Sequence, residues 1–227
     1  EGLFIVEGIK LVTEFIEQKK FEIKEIFALA DYIESHSKIL TRQKIWYNEI
    51  SEEELKKISL LSTPNQVLAV IKKTDQILDS ALLSQTTSLY LDDIRDPGNL
   101  GTIIRIADWF GIKQVICSPT TTELYNPKTL QASMGAVLRV NVVTIPFDEL
   151  LAKCTNLPVY GTVLEGENIY TSKLKHGIIV IGNEANGISK EVLKKITHHI
   201  TIPAANSNGS ESLNAANACA IVCSEFH

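Results

Sequence analysis

From Ser88 onward the chain repeats one pattern: a short apolar run, a polar loop, then a stretch with helical spacing. The runs SLYLDDI, QVICS, VNVVTI, PVYGTVL, GIIVIG and HITIPA are strand-like. Between and after them lie a helix over 102–110 stopped by Gly111, a second opened by Asn126-Pro127, the segments FDELLAKC and SKEVLKKI, and an alanine-rich closing helix. Strands this short and apolar are buried on both faces, and strands that alternate with helices run parallel. The expected fold is α/β, a mostly parallel sheet flanked by helices. Such sheets hold ligands in the loops beyond the carboxyl ends of their strands. Three loops qualify: DDIRDPGNLG, GNEANGIS and PAANSNGSES.

Residues 1–71 form a separate, smaller α/β pattern. EGIKLVTEFIEQ places Ile9, Val12, Phe15 and Ile16 on one helical face, EIFAL and VLAVI read as strands, and Ser51 with Glu54 makes a capping box. The polar stretch KKTDQILDSALLSQTT carries no strong packing pattern beyond ILDSALL. The expected organisation is a small α/β domain over 1–75, a linker with a short helix over 76–87, and the parallel-sheet domain over 88–227. A chain of 227 residues can bury cores of this size.

Several function classes fall away. No apolar stretch approaches the roughly eighteen residues of a membrane span, and the opening EGLFIVEGIK lacks the features of a secretory signal, so a cytoplasmic location is expected. Cys117, Cys154, Cys219 and Cys223 form no CxxC pair, and Cys219 and Cys223 share a helix face. Buried free thiols are expected and a zinc site is not. The net charge of −5 argues against a surface uniformly basic for nucleic acid, though not against a local groove.

In the first loop Pro97-Gly98 makes a turn and Asn99 can cap the helix that follows. Arg105 has two readings: a guanidinium fork for a phosphate, or a partner for Asp108 at i, i+3. The second loop has GxxxxG spacing from Gly182 to Gly187, but Ile188-Ser189 stands where a P-loop requires Lys and Ser or Thr, and the chain has no GxGxxG. ATP hydrolysis and ordinary dinucleotide binding are disfavoured. Glu184 is either a solvated carboxylate or a buried acceptor that fixes a ligand or Arg105. The third loop offers Ser210 or Ser212 as an N-cap, while Asn214 and Asn217 inside an alanine-rich helix require partners of their own.

With NLGTIIR (99–105), IGNEANGIS (181–189) and ITIPAANSNGSESLNAANA (200–218) in this order, the chain resembles the SpoU-type RNA 2′-O-methyltransferases of the SPOUT superfamily over 89–226. The first segment, from FIVEG to NQVLAVI, resembles that family's small amino-terminal RNA substrate-binding domain. The resemblance implies a trefoil-knotted sheet whose last helix threads a loop, S-adenosylmethionine held in the knot, and a homodimer whose active site uses both subunits. It implies a catalytic set of Asn99, Arg105, Glu184, Ser212 and Asn214. Thr162, Leu164, Gly182, Asn183, Gly187, Ile202 and Leu213 would hold the cofactor, with no metal. The chain departs from the family pattern in a longer stretch between Pro203 and Ser212, and in Ala215-Ala216-Asn217 where a valine-rich run is usual.

The function so implied is methylation of a ribose 2′-hydroxyl in structured RNA. Ribosomal RNA is expected over transfer RNA because of the extra amino-terminal domain. The alternatives are a transfer-RNA 2′-O-methyltransferase and a non-catalytic RNA-binding or assembly factor. The family's proposed general base stands at Arg105, yet an arginine keeps its proton in essentially any protein setting. Orientation of the ribose and its phosphate is the role expected of it here. Small-domain lysines and Arg42, with Arg95, Arg105 and Arg139, are expected to line a positive groove.

Overall fold

A computed structural model of the protein describes residues 2–154, 156–205 and 212–226. The first unit runs β1 (Leu3–Glu7), α1 (Ile9–Gln18), β2 (Ile23–Ala28), α2 (Ala30–Gln43), β3 (Tyr47–Glu49), α3 (Glu52–Ile58) and β4 (Val67–Lys72). Its sheet has the order β1-β4-β2-β3, with β4 antiparallel to both neighbours and β2 parallel to β3. Helix α1 buries Val12, Phe15 and Ile16, three of the four residues that periodicity places on its apolar face. Helix α3 starts at the expected capping box, Ser51 accepting from the Glu54 N–H and Glu54 from the Ser51 N–H. Helix α2 lacks a comparable signal because only Tyr32 and Leu40 of its fourteen residues are fully buried.

The segment before the second sheet carries α4 (Ser80–Gln85), capped by the Asp79 side chain on the N–H groups of Ala81 and Leu82. The order is then β5 (Ser88–Leu91), α5 (Pro97–Trp109), β6 (Gln114–Cys117), α6 (Pro127–Ser133), a 3-10 turn (Ala136–Leu138), β7 (Asn141–Thr144) and α7 (Phe147–Lys153). It closes with β8 (Val159–Asn168), β9 (Ile178–Ile181), α8 (Lys190–Leu193), β10 (His198–Thr201) and α9 (Ala215–Glu225). The six strands lie in the order β10-β8-β9-β5-β6-β7, and every neighbouring pair is parallel.

Every residue of β5, β6 and β9 is buried, as the apolar runs require of a sheet covered on both faces. Leu89, Leu91, Val115, Cys117, Ile179 and Ile181 face α5 and α9 in one core, which continues into the first unit through Phe4, Phe15 and Ile71. Tyr90, Ile116, Ile178 and Val180 face a second core with Phe147, Leu150 and Val192. Burial pushes the Cys117 thiol up to about 12. Cys219 and Cys223 are also buried, their sulfurs 3.8 Å apart, and Cys154 is half-buried.

Helix α5 begins five residues before the expected start at Thr102. Asp96 is its N-cap, accepting from the Asn99 N–H, and Pro97 takes the first turn, where its missing N–H costs nothing. Gly101 lets α5 lie directly on α6, since a Cβ there would meet the Thr129 carbonyl oxygen at 2.3 Å. The two units are joined by more than the linker. Phe4 stacks on Tyr125 at 4.4 Å, Lys20 donates to the Val137 carbonyl at 3.1 Å, and Arg139 bonds Glu14 of α1 and Asp108 of α5.

Candidate active site

The carboxyl ends of β8, β9 and β10 and the first turns of α9 enclose a pocket of about 710 Å³. Thr162, Leu164, Gly182, Asn183, Gly187, Ile202 and Leu213, all the residues expected to hold a cofactor, line it, as do Glu184 and Ser212. One wall is an excursion of β8. His199 pairs with Gly161 but the next residue, Ile200, pairs with Glu167, so residues 162–166 leave the ladder. Two hydroxyls pin this wall: Thr162 donates to the Val180 carbonyl at 2.9 Å and Thr201 to the Leu164 carbonyl at 3.0 Å.

The second wall is the loop after β9. Asn183 and Gly187 exchange backbone hydrogen bonds of 2.9 Å, closing a tight turn. Gly182 sits inside it, where a Cβ would lie 2.4 Å from the Gly187 carbonyl carbon and the Ile188 nitrogen. The Asn183 side chain holds the turn from both ends. Its Oδ1 accepts from the Ala185 and Asn186 N–H groups at 2.9 and 3.0 Å, and its Nδ2 donates to the Asp93 carbonyl at 2.7 Å. Ser189 N–H donates to Asp92 Oδ2 at 2.7 Å. Asn183 therefore shapes the pocket with a side chain already occupied.

At the pocket edge the three motifs meet in one hydrogen-bonded chain. Asn214 Nδ2 donates to Asn99 Oδ1 at 3.0 Å, and Asn99 Nδ2 donates to Glu184 Oε1 at 2.7 Å. Its direction is set at both ends. Asn214 is the N-cap of α9 and its Oδ1 is taken by the Ala216 and Asn217 N–H groups, so only its amide nitrogen remains to donate. A carboxylate at the other end can only accept. The amide of Asn99 is thereby fixed between them.

Three expectations are corrected here. Asn99 does not cap its helix; Asp96 does, leaving the Asn99 side chain free for Glu184 and Asn214. Asn214 is not inside α9 but caps it, a role expected of Ser210 or Ser212; Ser210 lies outside the described residues and Ser212 is exposed beside the pocket. Glu184 fixes Asn99, not Arg105. Asn217 contributes a backbone N–H to the cap and exposes its side chain; its polarity has no further explanation.

Arg105 stands apart. Asp108 pairs with Arg139 at 2.8 Å, which removes the intrahelical partner, and Arg105 is exposed with no hydrogen bond or ion pair among the described residues. Six positions on a helix separate it from Asn99 by about 9 Å along the axis and about 120° around it. The positive groove is also revised: Arg139 is spent on Glu14 and Asp108, and Arg95 pairs with Asp93 at 2.7 Å. Asp92, Asp93 and Asp96 were not among the expected site residues. Each holds one strand-end loop or helix start, and the signal for them was the unusual acidity of DDIRD directly after a buried strand. The Asn99 N–H, and after it Lys128, hold the Asp96 carboxyl below the usual carboxylate range.

Comparison with known proteins gives the same picture. Residues 86–224 match the model of the SpoU rRNA methylase family, and residues 1–69 match an MRM3-like substrate binding domain. The 23S rRNA (guanosine(2553)-2′-O)-methyltransferase RlmP of Bacillus subtilis is 31% identical over 225 residues, covering 96% of this chain and 86% of the relative. A TrmH-family protein from Porphyromonas gingivalis superposes with a TM-score of 0.83 at 34% identity, over 99% of this chain and 89% of the other. An AdoMet-bound rRNA methyltransferase from Sinorhizobium meliloti superposes with a TM-score of 0.84 at 26% identity, over 99% and 86%.

Proposed function

Because this chain belongs to the SpoU rRNA methylase family, we propose that it transfers a methyl group from S-adenosylmethionine to a ribose 2′-hydroxyl of structured ribosomal RNA. The observation that carries this reading is the chain Asn214–Asn99–Glu184, which joins all three motifs at the rim of one pocket. The pocket fits the cofactor. Its volume lies in the range of small-molecule sites, and Ile181, Ile188, Ile200 and Leu213 offer apolar surface for an adenine ring beside strand-end backbone groups for polar edges. When bound, the cofactor supplies a methyl group on a cationic sulfonium. The chain's own residues supply position: Asn99, held from both sides, presents a fixed amide, and near-attack alignment contributes several kcal/mol, about 7 to 11 in the best cases.

Arg105 orients the ribose and the adjacent phosphate through its planar fork. Its exposure and its displacement from Asn99 on α5 fit delivery to the pocket of a second copy. Trp109, one turn further along the same face and 84% exposed, supports a homodimer interface on α5. A knot in which α9 threads a loop, as in the family, belongs to this reading, as does Ser212 in the catalytic set beside the pocket. Residues 1–75 would bind RNA, 76–87 link, and 88–227 carry out transfer. Trp46 and Tyr47, exposed next to Arg42 and Lys44, suit stacking with unpaired bases. Among the described residues no helix is long and apolar enough to cross a membrane, and a cytoplasmic site of action goes with a ribosomal substrate.

The experiment is methyl transfer from labelled S-adenosylmethionine to ribosomal and transfer RNA, with Arg105→Lys alongside. Label in ribosomal RNA, lost at least about ten-fold in Arg105→Lys, is expected. Undetectable cofactor affinity by calorimetry would establish the non-catalytic RNA-binding reading instead.

A further inference from the structure

We propose that Asp96 is a positioning residue for methyl transfer: by capping α5 it keeps Asn99 from capping the same helix and so delivers the Asn99 amide to Glu184 and Asn214. This rests on the function proposed above.

The stretch Asp96-Pro97-Gly98-Asn99 contains two residues of capping type three positions apart. A helix can start at either. If Asn99 is the cap, its Oδ1 turns back onto the N–H groups of Gly101 or Thr102, and the amide that bridges the other two motifs is withdrawn. In the structure the competition is decided at Asp96, whose Oδ1 accepts from the Asn99 N–H at 2.9 Å. That bond places Asn99 in the first turn, where its side chain projects sideways to Glu184 and Asn214. The other carboxylate oxygen meets Lys128 of α6 at 3.1 Å, but that pair is exposed, with side-chain accessibilities of 64% and 47%, so screening leaves it little weight. The capping bond is the part that selects the helix start.

Two substitutions separate this role from simple stabilisation. Asp96→Asn keeps a capping oxygen and loses the charge toward Lys128; Asp96→Ala loses both. Asp96→Ala is expected to lower kcat by about ten- to a hundred-fold with the RNA KM and cofactor Kd within about two-fold, whereas Asp96→Asn retains turnover. Added to Asn99→Ala, Asp96→Ala should reduce kcat no further while still lowering Tm, because its kinetic effect runs only through Asn99. Independently of activity, the side-chain amide resonances of Asn99 in the RNA-free protein should move in Asp96→Ala and stay in place in Asp96→Asn. Wild-type kcat and unmoved amide resonances in a folded Asp96→Ala, or a kcat loss that adds to that of Asn99→Ala, overturns the proposal. If no variant, wild type included, transfers methyl groups, the enzymatic reading fails, and the amide resonances still decide which residue starts α5.

Discussion

Asn214 uses its two ends for different purposes: the oxygen caps α9 and the nitrogen orients Asn99. Asn214→Asp separates them. A carboxylate caps at least as well and interacts favourably with the helix N-terminus, so Tm should hold or rise slightly. Asn99 then faces carboxylates on both sides with only one amide nitrogen to offer, and turnover should fall at least about ten-fold. Single-turnover methyl transfer beside thermal unfolding checks both arms; unchanged turnover with Tm retained would mean that Asn214 acts only as a cap. Acid has a second residue-scale effect. The Asp96 carboxyl titrates below its ordinary value in the folded protein. Its contribution is therefore complete above the unfolded carboxylate pKa of about 4 and is lost as pH falls through the lower folded value. The Tm difference between wild type and Asp96→Ala should shrink as pH drops below about 4, and a constant difference down to pH 2 would contradict the capping role.

Among the elements, the loop after β9 tolerates least. Gly182→Ala places a Cβ against backbone atoms of Gly187 and Ile188 that are tied into the Asn183–Gly187 turn, so nothing flexible can yield. A loss of about 1–3 kcal/mol in stability and at least ten-fold in cofactor affinity is expected, measured by denaturation and calorimetry. Gly187→Ala meets no atom within 4 Å and is strained only by its φ of +66°, so it should be milder. The apolar strands of the parallel sheet were legible because β5, β6 and β9 are buried throughout and are apolar apart from Ser88 and Gln114, which open β5 and β6. The start of α5 was not, because Asp96 and Asn99 are equally good caps by composition and only the path of the chain decides. Nor was the convergence of Glu184 on Asn99, since the two stand 85 positions apart and nothing in spacing encodes that contact. Helix α2 and the exposed three-residue β3 left almost no apolar period to read.

At the scale of the molecule, two sheets share one continuous buried cluster, and Arg139 ties α1 to the helix that carries Asn99. Cooperative unfolding should span both units. Hydrogen exchange in denaturant should release peptides from β4 and β9 together, and Arg139→Ala should separate the two releases at a cost of about 1 kcal/mol. Separate releases in the wild-type protein would show the units to be energetically independent. Asn99, Glu184 and Asn214 come from three remote segments, the outer two 115 positions apart. On the ribosome, where chains are made from the amino end, Asn99 and Glu184 are synthesised before Asn214. The order of synthesis thus delays assembly of the site: a partly made chain has an acceptor and an amide but no donor to orient them, so this hydrogen-bonded chain is completed only when α9 is made.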